Sequence, residues 1–182
     1  MSAEVSPVIL RALLPTDVED TLRWHNDPSL YATLAGSFRA VSRATEEEWL
    51  RRISLPAPDA LNLGIVERVT GNLVGCVYLR DIDPDSRSGE LHVFLGEPAA
   101  RGRGLGEAAC RAMIEHAFQA LGLQRVYLMV LPENERAIRL YERLGFSRDG
   151  LHRAAVLKDG APRDLLAMSI TPSTATFGIR LP

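Results

Sequence analysis

The stretch AARGRGLGEAACRAM, residues 99–113, places three glycines at alternate positions and then continues as a helical pattern. Glycine at every second position is costly within a strand or helix, because this flexible residue loses the most freedom on ordering. A glycine-rich turn that opens a helix presents unpaired backbone N–H groups at the positive end of the helix dipole. The stretch therefore predicts a phosphate cradle, with Arg101 and Arg103 adding charge at its rim. A flexible connection with solvated arginines is the alternative.

The spacing of the glycines separates this stretch from the common nucleotide motifs. The pattern is GxGxG, whereas dinucleotide-binding folds carry GxGxxG with an acidic residue about twenty positions later. A P-loop needs a lysine and then serine or threonine after its last glycine, but Glu107 follows Gly106. We therefore expect a different ligand that carries a pyrophosphate.

The composition is that of an ordinary globular protein, and we expect one domain over residues 1–170. The chain of 182 residues is 46% hydrophobic and 24% charged, and its formal net charge of −2 gives no general attraction to nucleic acid or membranes. The opening MSAEVSPVIL lacks the basic start of a signal peptide and no apolar run is long enough to span a membrane, so we expect a cytoplasmic protein. Cys76 and Cys110 are expected to be reduced core residues, and no metal site is expected.

Periodicity and turn residues predict the element order β, α, α, β, β, β, α, β, α, β, β. Thr45 followed by the acidic run 46–48 predicts a capping box at the start of the second helix, with the acids either in solvent or placed to attract a cationic amine. Residues 171–182 are expected to form a tail. This tail is either loosely attached or docked through Phe177 and Ile179 on the body or on a second subunit.

Two separated motifs occur in the second half of the chain. The first is an arginine followed by GxGxG, at residues 101–106. The second is NERAIRLYERLGF, residues 134–146, in which an asparagine stands seven residues before a tyrosine. On these motifs, residues 89–170 resemble the catalytic core of the GNAT superfamily of N-acetyltransferases, and within it the RimJ/RimL-type branch. The first half of the chain matches only in the order of its elements.

The resemblance implies the GNAT fold, an α/β (α+β) architecture in which a mixed sheet of about seven strands has helices on both faces and a parallel pair that splays apart. It implies acetyl-CoA as co-substrate, without a metal. The pantetheine arm would pair like an added strand with the backbone of Val93, Phe94 and Leu95, and Asn134 and Ala137 would contact it. The pyrophosphate would lie on the backbone of Arg101, Gly102, Arg103, Gly104, Leu105 and Gly106.

The resemblance also implies roles for side chains near the thioester. Tyr141 matches the tyrosine usually assigned as general acid for the leaving thiolate, and an aromatic ring packed in the core is the alternative. Asn134 matches the residue that bonds to the cofactor arm, and it is also a favoured helix N-cap. Glu90 is the first choice for general base, through a bridging water, and His92 on the same side of the strand is the reserve. A structural ion pair with Arg87 is the alternative for Glu90.

The early helices are expected to line the acceptor site. Trp24 and Trp49 lie on them, where core packing and an apolar substrate wall are the alternatives. His25 is expected to have neither a catalytic nor a metal-binding role, and Asp164 after the DG turn is expected to make a structural hydrogen bond.

The function expected from these residues is transfer of an acetyl group from acetyl-CoA to a primary amine, by direct attack in a ternary complex. A protein N-terminal amine is the leading acceptor. Polyamines, aminoglycosides and amino sugars are alternatives, and a non-catalytic acyl-CoA-binding sensor is a rival from another class. The expected partner is the amine substrate, with neither nucleic acid nor membrane. Dimers are common in the family, so a homodimer is also considered.

Overall fold

The computed structural model of the protein describes residues 5–178 and contains one mixed sheet. Its strands are β1 Val8–Ala12, β2 Leu61–Glu67, β3 Leu73–Asp83, β4 Ser88–Leu95, β5 Arg125–Val130, β6 Ser147–Lys158 and β7 Ala161–Ile170, in the spatial order β1-β2-β3-β4-β5-β7-β6. Its helices are α1 Val18–His25, α2 Pro28–Tyr31, α3 Arg43–Ile53, α4 Leu105–Gln119 and α5 Glu135–Leu144.

The parallel contact between β4 and β5 is short. Ser88–Glu90 pair with Arg125–Tyr127, and all the other strand pairs of the described sheet are antiparallel. From Leu91 to Leu95, β4 remains paired with β3 but has no paired residue in β5 within the described chain. The two strands therefore splay apart, and β4 presents free backbone N–H and C=O groups toward the gap.

Helices cover both faces of the sheet. Successive side chains of a strand point to opposite faces, so Val77 and Cys76 mark the two sides of β3. Val77 belongs to a cluster with Met113 and Phe118 of α4, whereas Cys76 belongs to a cluster with Trp24 of α1 and further residues of α3. The predicted architecture, a mixed sheet with a splayed parallel pair between layers of helices, is confirmed.

The start of α3 differs from the predicted capping box at Thr45. Ser42 is the N-cap and its side-chain oxygen accepts a hydrogen bond from the Thr45 N–H at 3.1 Å, so the helix begins at Arg43. The prediction that the acidic run is solvated is wrong for Glu46, which is 1% exposed. This helical phase turns Glu46 toward α1, where its carboxylate lies 2.9 Å from Nδ1 of His25.

Residues 171–178 pack against the end of α5. Thr176 donates its hydroxyl to the carbonyl of Arg143 at 2.6 Å, and Phe177 is buried in the main core. The guanidinium of Arg111 in α4 lies 4.7 Å from the centre of the Phe177 ring. Ile179, the other predicted docking residue, lies outside the described residues.

Gly145 is where the end of α5 meets this segment, and its substitution tests the packing. Gly145 has φ of +104°, and a Cβ there would lie 2.1 Å from the carbonyl oxygen of Thr174. Gly160 also has positive φ, +78°, but nothing lies within 4 Å of its added Cβ. We expect Gly160→Ala to lower the free energy of unfolding by about 1 kcal/mol and Gly145→Ala by about 3 kcal/mol. If urea denaturation gives the same loss of unfolding free energy for both variants, the contact between Gly145 and Thr174 is not tight.

Candidate active site

A cavity of about 610 Å³ opens where β4 and β5 diverge. One wall is the unpaired edge of β4, and the opposite wall is the end of β5 with the first turns of α5. The segment that follows α2 closes a third side. Its lining residues are Ser29, Thr33, Leu34, Ala35, Gly36, Tyr78, Arg80, Leu91, His92, Val93, Phe94, Leu95, Arg101, Gly106, Met129, Val130, Leu131, Asn134, Arg136, Ala137, Leu140 and Tyr141.

The glycine loop lies at one end of this cavity and leads directly into α4. Gly102 and Gly104 have φ of +81° and +79°, in the left-handed region that favours glycine. Gly104 is the N-cap of α4, and a Cβ added there would meet nothing within 4 Å. The first N–H groups of the 15-residue helix have no partner within the helix. The loop therefore has the open backbone and the helix N-terminus that a pyrophosphate requires.

The two arginines predicted at the rim have partners within the protein. Arg103 forms an ion pair with Glu67, and this hydrogen bond lowers the pKa of the Glu67 carboxyl. Arg101 donates Nε to the Leu95 carbonyl at 3.0 Å and Nη2 to the Gly96 carbonyl at 3.3 Å, so it fixes the end of β4. Arg101 still lines the cavity, whereas the charge of Arg103 is compensated.

Arg136 is a functional candidate that the sequence reasoning missed. It lines the cavity, and its Nη2 lies 3.5 Å from the position of a Cβ built on Gly102. None of the carboxylates in the described residues forms an ion pair with it. The available signal was its place two residues after Asn134, within the second motif. Its free cationic group can replace the rim charge that Arg103 does not supply.

Asn134 and Tyr141 lie on the α5 wall of the cavity. The Asn134 side-chain oxygen accepts a hydrogen bond from the Ala137 N–H at 3.2 Å, which confirms the N-cap, and its Nδ2 donates to the Thr33 carbonyl at 3.1 Å. Tyr141 follows Ala137 by one turn on the same helix face and is 8% exposed. Burial raises the pKa of Tyr141 well above that of an ordinary phenol, so its hydroxyl remains a proton donor.

Glu90 and His92 form a pair on β4. His92 Nε2 lies 3.3 Å from Glu90 Oε2, which places both on one face as predicted. His92 lines the cavity with 42% of its side chain exposed, whereas Glu90 is 17% exposed and lies behind it. The hydrogen bond from His92 lowers the pKa of Glu90, and the charge of Arg80 contributes. The alternative pair with Arg87 does not form, since Arg87 donates Nε to the Gly122 carbonyl at 2.9 Å.

Tyr78 and Arg80 share this face of the sheet, and they too were not predicted. Tyr78 pairs with His92 in the β3–β4 register, and Arg80 pairs with Glu90. The Arg80 guanidinium lies 4.5 Å from the centre of the Tyr78 ring. The Tyr78 hydroxyl is buried and has no hydrogen-bond partner among the described residues, although Tyr78 lines the cavity. The pairing register of β3 with β4 brings both residues to the site, and this register cannot be read from their spacing in the sequence.

The other residues singled out in the sequence contact the core or the backbone of the protein itself. Trp24 is buried in the core, and the Trp49 ring meets the His25 ring edge to face at 4.7 Å. Asp164 accepts a hydrogen bond from the Ala154 N–H at 2.8 Å, which confirms its structural role.

Residues 5–178 contain no group of histidine, cysteine and acidic side chains suited to a metal ion. None of the helices in that range is both long and apolar enough to cross a membrane.

Burial makes both cysteines unreactive. Cys76 and Cys110 are free, fully buried thiols in the core, as predicted. Desolvation raises the pKa of each to about 12. Neither thiol is a nucleophile at neutral pH, because the thiolate is the reactive form.

The fold contains the splayed parallel strand pair and the glycine loop at a helix N-terminus that the resemblance to N-acetyltransferases implies. Residues 8–147 match the family model described as acetyltransferase (GNAT) domain. This match covers most of the chain, and the chain belongs to that family. Membership confirms the predicted fold and the predicted class of domain, an acetyltransferase domain.

Several known proteins are similar to this chain. A spermidine N(1)-acetyltransferase of Vibrio cholerae is 31% identical over 109 residues, 60% of this chain and 62% of the relative. The putative ribosomal N-acetyltransferase YdaF of Bacillus subtilis is 32% identical over 100 residues, 55% of this chain and 54% of the relative. The matched segments thus span between half and two thirds of these curated relatives. The crystal structure of spermidine N-acetyltransferase from Vibrio cholerae in complex with CoA and spermine superposes with a TM-score of 0.84 at 25% identity, over 93% of this chain and 98% of that chain.

Proposed function

We propose that this protein acetylates a primary amine by direct attack within a ternary complex of enzyme, acetyl-CoA and amine. The observation that carries the proposal is the splay of β4 from β5 beside the glycine loop, with Tyr141 and His92 both on the wall of the same cavity. Direct transfer is supported by the burial of both cysteine thiols, which removes them as acyl carriers.

The residues of the cavity suit acetyl-CoA as donor, which supplies a thioester carbonyl for the amine to attack. The edge of β4 at Val93–Leu95 has no partner in β5 and offers backbone hydrogen bonds to an extended arm, as in strand addition, while the Leu95 carbonyl already accepts a hydrogen bond from Arg101. The open loop at Gly102–Gly106 and the cation of Arg136 bind negative charge. Tyr141 donates a proton to the departing sulfur. Asn134 holds the start of α5 through Oδ1, and its Nδ2 holds the Thr33 carbonyl of the cavity wall.

The Glu90–His92 pair receives the proton that the amine loses. The Glu90 carboxylate favours the tautomer in which His92 carries its proton on Nε2, which leaves Nδ1 as the acceptor. In this arrangement, His92 contacts the substrate and Glu90 orients the ring. Glu90 acting through a bridging water is the other route, and the two routes predict different losses in the variants of each residue.

The His92→Gln and Glu90→Gln variants distinguish these routes. If His92 is the base, His92→Gln is expected to lose about 10²-fold in kcat, and Glu90→Gln loses less because the imidazole remains on the cavity wall. If Glu90 is the base, Glu90→Gln carries the larger loss, and the lowered pKa of Glu90 keeps this carboxylate ionised throughout the neutral range. The measurement is kcat/KM from pH 5.5 to 9 for wild type, His92→Gln and Glu90→Gln. Full activity in both variants would exclude the pair from proton transfer.

For the acceptor, we propose a protein N-terminal amine, as in the RimJ/RimL-type branch. The charged side chains that line the cavity are Arg80, Arg101 and Arg136, and no carboxylate is among its described lining residues. A polycation finds no counter-charge on such a wall, whereas a peptide terminus carries one amine and neutral carbonyls that Arg80 can bind. The similarity to the putative ribosomal N-acetyltransferase of Bacillus subtilis favours a protein as acceptor.

Spermidine is the second candidate acceptor, because two kinds of comparison favour it. The Vibrio cholerae relative is named a spermidine acetyltransferase, and its structure contains CoA and spermine. Glu90 is the carboxylate that would pair with a polyamine beside the cavity, next to His92.

A thiol-release assay with acetyl-CoA tests the function and separates the acceptors. The panel contains peptides with free and blocked N-termini, spermidine, spermine, an amino sugar and an aminoglycoside. Turnover of the free peptides alone supports the N-terminal acceptor, and turnover of spermidine alone replaces it with the polyamine. Tight CoA binding in calorimetry without release for any amine would favour the sensor.

A further inference from the structure

A lysine distant in the sequence forms hydrogen bonds to the cavity wall that follows α2. Lys158, the last residue of β6, is 7% exposed. Its Nζ donates to the carbonyls of Tyr31 at 2.6 Å, Leu34 at 2.7 Å and Gly36 at 3.3 Å. Thr33–Gly36 belong to the cavity wall, so the contacts of one ammonium group shape that side of the site.

The Lys158 ammonium group caps the segment, because it donates to three of its backbone carbonyls. An ammonium group has three N–H donors, and each of them has a carbonyl acceptor here. None of the carboxylates in residues 5–178 forms an ion pair with Lys158, so these carbonyl dipoles are what compensate its buried charge. A neutral side chain in its place leaves the carbonyls of Leu34 and Gly36 without a donor, and the Tyr31 carbonyl keeps only the Leu34 N–H at 3.3 Å.

Further bonds join the same two parts of the chain. Ser37 donates its hydroxyl to the Leu157 carbonyl at 3.3 Å and accepts the Asp159 N–H at 3.2 Å. On the cavity side, Asn134 holds the Thr33 carbonyl at 3.1 Å. The segment 31–37 has no strand partner in the described sheet, so these side-chain bonds replace a ladder as the source of its order.

We propose that Lys158 is a positioning residue for the amine side of the cavity. By donating to three carbonyls, it fixes the Thr33–Gly36 wall of the cavity without touching a substrate itself. Loss of the cap releases this wall while the glycine loop and α4 keep their structure. This inference concerns how the site is held and does not depend on which amine is the acceptor.

Hydrogen exchange of Lys158→Met tests the proposal, with Arg153→Met, an exposed residue of the same strand, as control. We expect the amides of residues 32–37 to exchange at least about tenfold faster in Lys158→Met, while the amides of α4 stay protected. Calorimetry is expected to give an acetyl-CoA affinity within about threefold of wild type, since the glycine loop is untouched. Arg153→Met is expected to match wild type in both measurements.

Kinetics provide a readout that a merely structural role would not move. With the peptide or spermidine as probe amine, we expect the KM for the amine to rise at least about fivefold in Lys158→Met, with the KM for acetyl-CoA unchanged. If neither probe is a substrate, the exchange measurement decides the proposal alone. Unchanged exchange in residues 32–37, or an equal increase across α4, overturns it. If Lys158→Met does not fold, Ser37→Ala is expected to speed exchange in the same segment to a smaller extent, and an absence of that change also overturns the proposal.

Discussion

Replacement of Tyr141 with phenylalanine is expected to lower kcat by about a hundredfold or more, with little change in the affinity for acetyl-CoA. The ring is packed in the core 5.6 Å from the Phe146 ring, centre to centre, and phenylalanine keeps that packing. The hydroxyl alone is lost, and with it the proton donor on the cavity wall. Since burial raises the pKa of Tyr141, the wild-type hydroxyl stays protonated throughout the neutral range, and this loss is expected to be independent of pH there.

Tyr31→Phe is a matched control for this prediction. The Tyr31 ring packs against Phe38 at 5.6 Å, and Tyr31 is not among the cavity-lining residues. Its activity is expected to equal that of wild type. Initial rates at saturating acetyl-CoA and calorimetric titration of CoA measure the two effects separately. Wild-type turnover in Tyr141→Phe would remove Tyr141 from the chemistry, and a large loss of CoA affinity would give it a binding role instead.

The features predictable from the sequence are those in which a residue type reports its own backbone geometry. Gly102 and Gly104 require positive φ, and Asn134 caps the helix that follows it, so each is recognisable without knowing the rest of the fold. The two motifs combine such positions at fixed spacing. That is why the starts of α4 and α5 could both be predicted.

The features that escaped prediction depend on contacts between distant parts of the chain. Arg103 looked like a free rim charge, but Glu67 in β2 neutralises it. Glu46 looked like part of a solvated run, but the phase of α3 buries it against His25. The acceptors of Lys158 lie more than 120 residues earlier in the sequence. No local pattern contains these pairings, because tertiary packing decides them.

The arrangement of Glu90 and His92 was only partly predictable from the sequence. Alternation along β4 correctly predicted that both side chains share a face. Which of them meets the cavity depends on where β5 separates from β4, and that point falls just after Glu90. The separation leaves His92 beside the open gap and Glu90 beside the last paired residues. Strand periodicity cannot locate such a point, so the choice of base remained open in the sequence.

Gly104→Leu is expected to weaken acetyl-CoA binding by about a hundredfold, which corresponds to the loss of one or two charge-assisted hydrogen bonds. A Cβ at Gly104 meets nothing within 4 Å, so the fold accommodates the side chain. The side chain then occupies the space before the first N–H groups of α4, where an anion has to approach. The positive φ of +79° adds a stability cost of about 1–2 kcal/mol, which has to be separated from the effect on binding.

Gly160→Leu separates these two effects, because Gly160 has nearly the same backbone geometry at a different place. Its φ is +78°, its added Cβ also has open space, and it lies in the turn between β6 and β7. Both variants are expected to lose similar stability in thermal denaturation, whereas only Gly104→Leu loses CoA affinity in calorimetry. Equal CoA affinities would contradict the assignment of the glycine loop as the pyrophosphate cradle. An affinity loss in both variants would trace the effect to stability, since a binding site is weakened whenever the fold that preorganises it is populated less.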